Sequence, residues 1–187
     1  MRRTHLTGLV FLLVSAVGFV AQAAAQPVLI YVSVKGAKTG PFKGESLQRT
    51  AAAEQLIQVF GVSYEVASPR DVATGQASGK RQYKPIVILK ELGPSSPQFF
   101  GAAATNEVLS EVKIEFFHAN ANSQTVQFYT ITLTNATIAD VRTHTGHGES
   151  LGSVNGHQYE EISFTFQKIT IQDIESKTMA MDDWMAR

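Results

Sequence analysis

The sequence predicts a mainly β fold, an antiparallel β-barrel or closed sandwich with one short α-helix packed on it. Three observations predict it. Runs of strand length, β-branched or alternating in polarity, recur at short spacing from Val28 to Ile171, about seven or eight in all. A single segment, following Gly93 and Pro94, has apolar residues at helical spacing. No internal repeat is present, and 187 residues suffice for one domain to bury its own core.

The first 25 residues stand apart. Arg2 and Arg3 form a positive start, Leu9 to Val20 an apolar core, and Ala21-Gln22-Ala23 and Ala23-Ala24-Ala25 small-residue cleavage patterns. That is the layout of a secretory signal peptide, and the apolar run falls short of the roughly 20 residues a spanning helix needs. The expected division is a signal peptide over 1–25 and a single barrel domain over 26–187, with no membrane association in the mature form.

Val28 to Val34 is the first strand by its alternation of Val28, Ile30, Val32 and Val34 with Leu29, Tyr31 and Ser33. Gly36, Gly40, Pro41 and Gly44 then punctuate a long irregular segment reaching Gln55, with a short helix over Leu47 to Ile57 as the competing reading. Leu56 to Ala67 reads as a strand bent at Gly61, and Ser68 to Gly79 as a loop. Ile86 to Leu92 is short, apolar and β-branched, as a buried strand should be. Ser95 or Ser96 offers an N-cap hydroxyl, Pro97 suits a helix start, and Phe99, Phe100, Ala103 and Ala104 supply an apolar face. Val108 to Phe117 alternates, with Val112, Ile114 and Phe116 on one side. After a polar turn over Ala119 to Gln124, Val126 to Ile138 forms the longest strand. Tyr159 to Ile171 follows, its apolar parity switching from Ile162, Phe164 and Phe166 to Ile169 and Ile171, which implies a bulge near Gln167 or Lys168.

Composition narrows the function. The chain is 44% hydrophobic and 17% charged, with Lys+Arg and Asp+Glu equal at 16 each. Loss of residues 1–25 removes Arg2 and Arg3, leaving 14 basic against 16 acidic residues. No basic excess exists for nucleic acid. Without cysteine there is no disulfide framework, no thiolate nucleophile and no Cys-based zinc site.

Three motifs invite chemistry and fail its context. Gly148-Glu149-Ser150-Leu151-Gly152 spells a nucleophile elbow, yet lies in a loop between strands with no helix after it. Gly75 to Arg81 is one residue short of a P-loop and has Arg81 where a Ser or Thr would meet magnesium. His144, His147 and His157 with Glu149 lack a rigid ligand spacing and read as a solvated loop. The expectation is a protein with no catalytic residues, no metal and no cofactor.

Ser78, Gly79, Lys80, Lys84, Pro85, Ile86, Val87, Ile88, Lys90 and Glu91, then Ser96, Pro97 and Phe100, then Glu111, Val112, Ile114, Glu115 and Phe116, form an ordered set of motifs. With Tyr129 to Ile138, Glu160 to Ile169 and Asp182-Asp183-Trp184, this pattern resembles the Hcp (haemolysin-coregulated protein) family, the tube subunit of bacterial type VI secretion. The likeness extends over roughly residues 28–185. It implies a homohexameric ring whose copies stack into a tube, small effectors in the lumen, and a spike and a contractile sheath as partners. It also implies that the Gly36–Gln55 loop contacts neighbouring subunits. The candidate subunit-interface residues are Lys38, Pro41, Phe42, Lys43, Glu45, Phe117 and Trp184, the last an anchor type favoured at interfaces. The leader and the resemblance imply different routes. One is secretion through a signal peptide to the periplasm or outside; the other is cytoplasmic assembly followed by type VI export. A leader therefore also supports an alternative, an exported Hcp-like binding or assembly module unconnected with contractile secretion.

Overall fold

A computed structural model of the chain describes residues 28–44, 56–120, 122–144 and 158–186. The leader, the competing Leu47–Ile57 helix apart from its last two residues, and the Gly148–Gly152 motif lie outside the described residues. Eleven strands and one helix follow in order. They are β1 (Leu29–Gly36), β2 (Gly40–Pro41), β3 (Ile57–Val59), β4 (Gly61–Ser63), β5 (Val66–Ala67), β6 (Gln82–Tyr83), β7 (Ile86–Glu91) and α1 (Ser96–Ala104). Then come β8 (Leu109–Ala119), β9 (Thr125–His144), β10 (Tyr159–Asp173) and β11 (Thr178–Asp183).

The main sheet runs β2-β1-β8-β9-β10-β7-β4, with β3 on β1 and β11 on β10. Its pairings are all antiparallel. Closure occurs at Phe60. There the strand expected over Leu56 to Ala67 breaks, sending β3 to β1 and β4 to β7, so the pairing returns on itself. Phe60 keeps its own N–H satisfied by the Leu89 carbonyl at 2.8 Å.

The interior follows from strand alternation. Val34, Val112, Leu133 and Ile169 sit side by side across β1, β8, β9 and β10, and all are buried. The next row, Val32, Ile114 and Ile131, repeats the pattern, with Ile57 of β3 beside Val32. Each such side chain stabilises the fold by about 1.5–3 kcal/mol relative to exposure.

The parity switch expected in β10 is present, but both strands make it. On β9 the buried positions pass from Ile131 and Leu133 to Ala136 and Ile138, and on β10 from Ile169 to Phe164 and Ile162. At the switch Asn135 takes φ 49°, a left-handed conformation that asparagine tolerates, and its amide donates to Gln167 Oε1 at 3.0 Å. The register-shifting bulge lies elsewhere, between Ser163 and Phe164.

Helix α1 lies against the barrel through Phe99 and Ala102, both buried. Phe99 packs edge-on against Phe42 at 5.2 Å and Phe164 at 6.2 Å. Phe100 is 68% exposed, which corrects the four-residue face read from the sequence. One residue is about 100° of turn, so Phe100 leaves the 99–102–103 stripe. Ser95 stands at the N-cap without a side-chain capping bond.

Candidate assembly surfaces

The turn from β1 to β2 is the first element that the resemblance assigns to contacts. It is held from beneath by Glu107, itself 4% exposed. Glu107 Oε1 accepts from the Lys38 and Thr39 N–H groups, each at 2.7 Å, and Oε2 accepts from the Thr39 hydroxyl at 2.6 Å. Those bonds, the Thr39 hydroxyl first, hold the Glu107 carboxyl below its ordinary range. Gly36 must be glycine, because a Cβ there would collide with the Glu107 carboxylate. Gly40, at φ +75°, completes the turn in a conformation other residues resist.

Beyond the turn the chain is fastened twice. Phe42 donates its N–H to the Val34 carbonyl at 2.9 Å, and its ring is fully buried against Phe99. Lys43 N–H donates to Gln98 Oε1 of α1 at 2.7 Å. Phe42 therefore leaves the set of candidate interface residues, since a side chain in the core cannot meet a neighbour. Lys38, Pro41 and Lys43 are exposed, and Glu45 lies outside the described residues.

A second surface gathers around the C-terminal strand. Strand β11 pairs with β10 from Thr178 to Asp183, beyond the last strand expected from the sequence. Arg81 Nε is ion-paired with Asp182, and its Nη2 donates to the Asp183 carbonyl at 3.0 Å. Tyr83 donates its hydroxyl to Asp182 at 2.6 Å. Burial pushes the Asp182 carboxyl up, and the bonds from Tyr83 and Arg81 outweigh it, leaving the group below its ordinary value. Tyr83 moves the other way, chiefly through burial. Trp184, 52% exposed, leans on Tyr83 at 5.7 Å and lines a cavity of about 40 Å³ with Lys84, Pro85, Thr165 and Phe166. Phe117 is half-buried rather than open, packed edge-on against Tyr31 at 5.7 Å.

The helix root is pinned by charge. Lys90 and Glu160 occupy core-facing positions of β7 and β10, with side-chain exposures of 0% and 2% and an N–O distance of 2.9 Å. Glu160 Oε1 also accepts the Ser96 hydroxyl at 2.6 Å, and Ser96 Oγ accepts the Gly93 N–H at 3.0 Å. These contacts, and Glu107 and Asp182, escaped the sequence reading. One signal was available for the first: Lys90 continues the Ile86–Ile88 parity and Glu160 the Phe164–Ile162 parity, so both charges face inward.

His144 is on β9 with its Nε2 buried, lacking a hydrogen bond and 3.8 Å from Glu161. Among the described residues no three of His, Asp, Glu or Cys converge. His147, Glu149 and His157 lie outside them. No helix among the described residues is long and apolar enough to cross a membrane.

The charges described above serve architecture: buried Glu107 holds a turn, buried Lys90 and Glu160 a helix root, and the part-exposed Arg81 and Asp182 a terminal strand of a closed antiparallel barrel. A family model described as "Type VI secretion system effector, Hcp" matches residues 31–172. The "Major exported protein" of Pseudomonas aeruginosa (strain PAO1) is 32% identical over 161 residues, 82% of this chain and 94% of that protein. Among solved structures, one titled "Crystal structure of Hcp protein" superposes with TM-score 0.77 at 22% identity, covering 86% of this chain and 100% of that one. The secreted protein Hcp3 from Pseudomonas aeruginosa gives TM-score 0.68 at 25% identity, with coverages of 86% and 100%. The chain belongs to the Hcp family. It is a type VI secretion Hcp-like structural subunit and not an enzyme, and members of this family form oligomeric assemblies.

Proposed function

We propose that the chain forms homohexameric rings that stack into a tube and carry or chaperone small effector proteins for export, with spike and sheath proteins as partners. The observation that supports this best is the family match across residues 31–172, because it takes in the barrel, helix α1 and the β1–β2 turn. A ring needs a self-complementary surface that closes, and stacking needs a second, heterologous surface that does not. Lys38, Pro41, Lys43, Phe117 and Trp184 are the proposed contact residues, and Glu45 stays in the proposal from sequence alone. Export follows from the relative named a major exported protein.

The leader-like start, with Arg2, Arg3 and the apolar Leu9–Val20 run, favours a second reading, an exported Hcp-like module assembling outside the cytoplasm. Light scattering followed by negative-stain imaging of the same fraction tests the assembly. Six protomer masses with ring images are expected, and a monomer at micromolar concentration would overturn the tube reading. Intact mass of the exported protein separates the routes, since cleavage near Ala23 or Ala25 belongs only to the second.

A further inference from the structure

Strand register places two features at opposite ends of one sheet. Gly36 of β1 is level with Leu109, and Leu109 with Ala136; Leu29 is level with Phe117, and Phe117 with Gln127. The Lys38 turn therefore stands at one end, and Tyr129, paired with Asp173, at the other. At that second end the core-facing side of β9, β10 and β11 continues past the barrel. Tyr129, Ile171, Asp173, Thr178, Met179 and Ala180 line a cavity there of about 280 Å³.

The lining has a definite chemistry. Asp173 is held below its ordinary range by the Ser176 N–H, which donates to Oδ1 at 2.8 Å, so it is an anion at neutral pH. Tyr129 is pushed up to about 12, first by burial and then by its hydrogen bond with Tyr64, so its ring stays neutral. Ile171, Met179 and Ala180 add apolar surface. An anion, an aromatic face and an aliphatic wall together suit a lysine, whose stem packs while its ammonium meets the carboxylate. The exposed turn at the opposite end supplies such a group. Lys38 sits on backbone fixed by Glu107 and so is presented with little freedom to lose. The exposed charges are complementary: Lys35 and Lys38, beside Glu111 and above the buried Glu107, at one end; Asp173 and Glu175, beside Lys177 and His118, at the other.

We infer that this cavity is the socket for Lys38 of a second copy, joined head to tail. The inference rests on the stacking part of the proposed function and names the side chains that make it. The test uses the full chain and reads ring mass at low concentration separately from growth of stacks at high concentration. Lys38→Gln and Asp173→Asn each raise the concentration needed for stacking by about tenfold, and the two together raise it no further than either alone. Asparagine keeps an acceptor for the Ser176 N–H, so Asp173→Asn removes charge without removing the turn bond. Ring mass is the same in all variants. Stacking unchanged by either single substitution, or two effects that add in full in the pair, overturns the socket while leaving the ring. Wild-type rings that never stack overturn it too. A wild type without rings instead removes the proposed function beneath it.

Discussion

Replacing Lys90 with methionine removes half of an ion pair that water does not reach. The side-chain exposures of 0% and 2% mean that Glu160 would be left as a buried carboxylate facing a thioether. The Ser96 hydroxyl, which also donates to Glu160, is neutral. Breaking a buried pair from one side costs about 3–5 kcal/mol, because the surviving charge stays desolvated. For a chain of this size that corresponds to a fall in melting temperature of roughly 6–20 °C. Replacing both partners, Lys90→Met with Glu160→Leu, removes the charge and its penalty together. The double variant is expected to be more stable than either single one.

Thermal and urea denaturation at one fixed protomer concentration make the measurement, since assembly adds its own stabilisation by mass action. A Lys90→Met cost under about 1 kcal/mol, the range of exposed pairs, would refute the reasoning. So would a double variant whose loss equals the sum of the two singles, because uncoupled groups add.

Gly36→Ala drives a methyl group into Glu107, with the carboxylate carbon only 3.1 Å from the new Cβ. An overpacking cost of about 1–3 kcal/mol is expected in urea melts, with faster amide exchange at Lys38 and Thr39. Glu107→Gln should change the pH profile. A carboxyl held below 4.5 by the fold contributes stability that is present above that value and lost as pH falls through its folded value. The gap between wild type and Glu107→Gln is therefore largest at neutral pH and closes below pH 4.5; a gap independent of pH would refute an ionic role. Trp184 is the sole tryptophan, half-exposed beside Tyr83. Its emission should shift to the blue when rings form at rising concentration, and an unchanged spectrum would remove it from the interface.

The barrel was legible because its strands announce themselves. Ile86–Glu91 and Val112, Ile114 and Phe116 follow two-residue periodicity closely, and burial obeys it. Strand β11 was not legible. Thr178 to Asp183 contains no β-branched alternation and is a strand because β10 outruns β7, leaving Lys168 to Asp173 to be paired. Phe42 was misread for a similar reason: glycines on both sides suggested open loop, while the pairing of β2 with β1 folds that ring back into the core. The surfaces themselves left almost no trace. Lys38, Pro41 and Trp184 are ordinary exposed residues, and what gives them a role is a second copy's shape, which no spacing within one chain encodes.

Helix α1 joins these observations. Ser96 is fixed by Glu160, Phe99 fixes Phe42, and Gln98 fixes the Lys43 backbone, so three contacts on one short helix hold the chain in place just before Gly44. The described start of the segment that the family resemblance assigns to neighbour contacts, Gly36 to Gly44, is thus tied to the buried charge at the helix root. Glu160→Gln tests that coupling. Gln keeps an acceptor for Ser96, so the barrel should retain its cooperative melt at a lower temperature. If the helix root positions the contact segment, ring formation should then weaken by more than the loss of folded protomer accounts for. Ring affinity that tracks the folded fraction alone would show that the helix only covers the core.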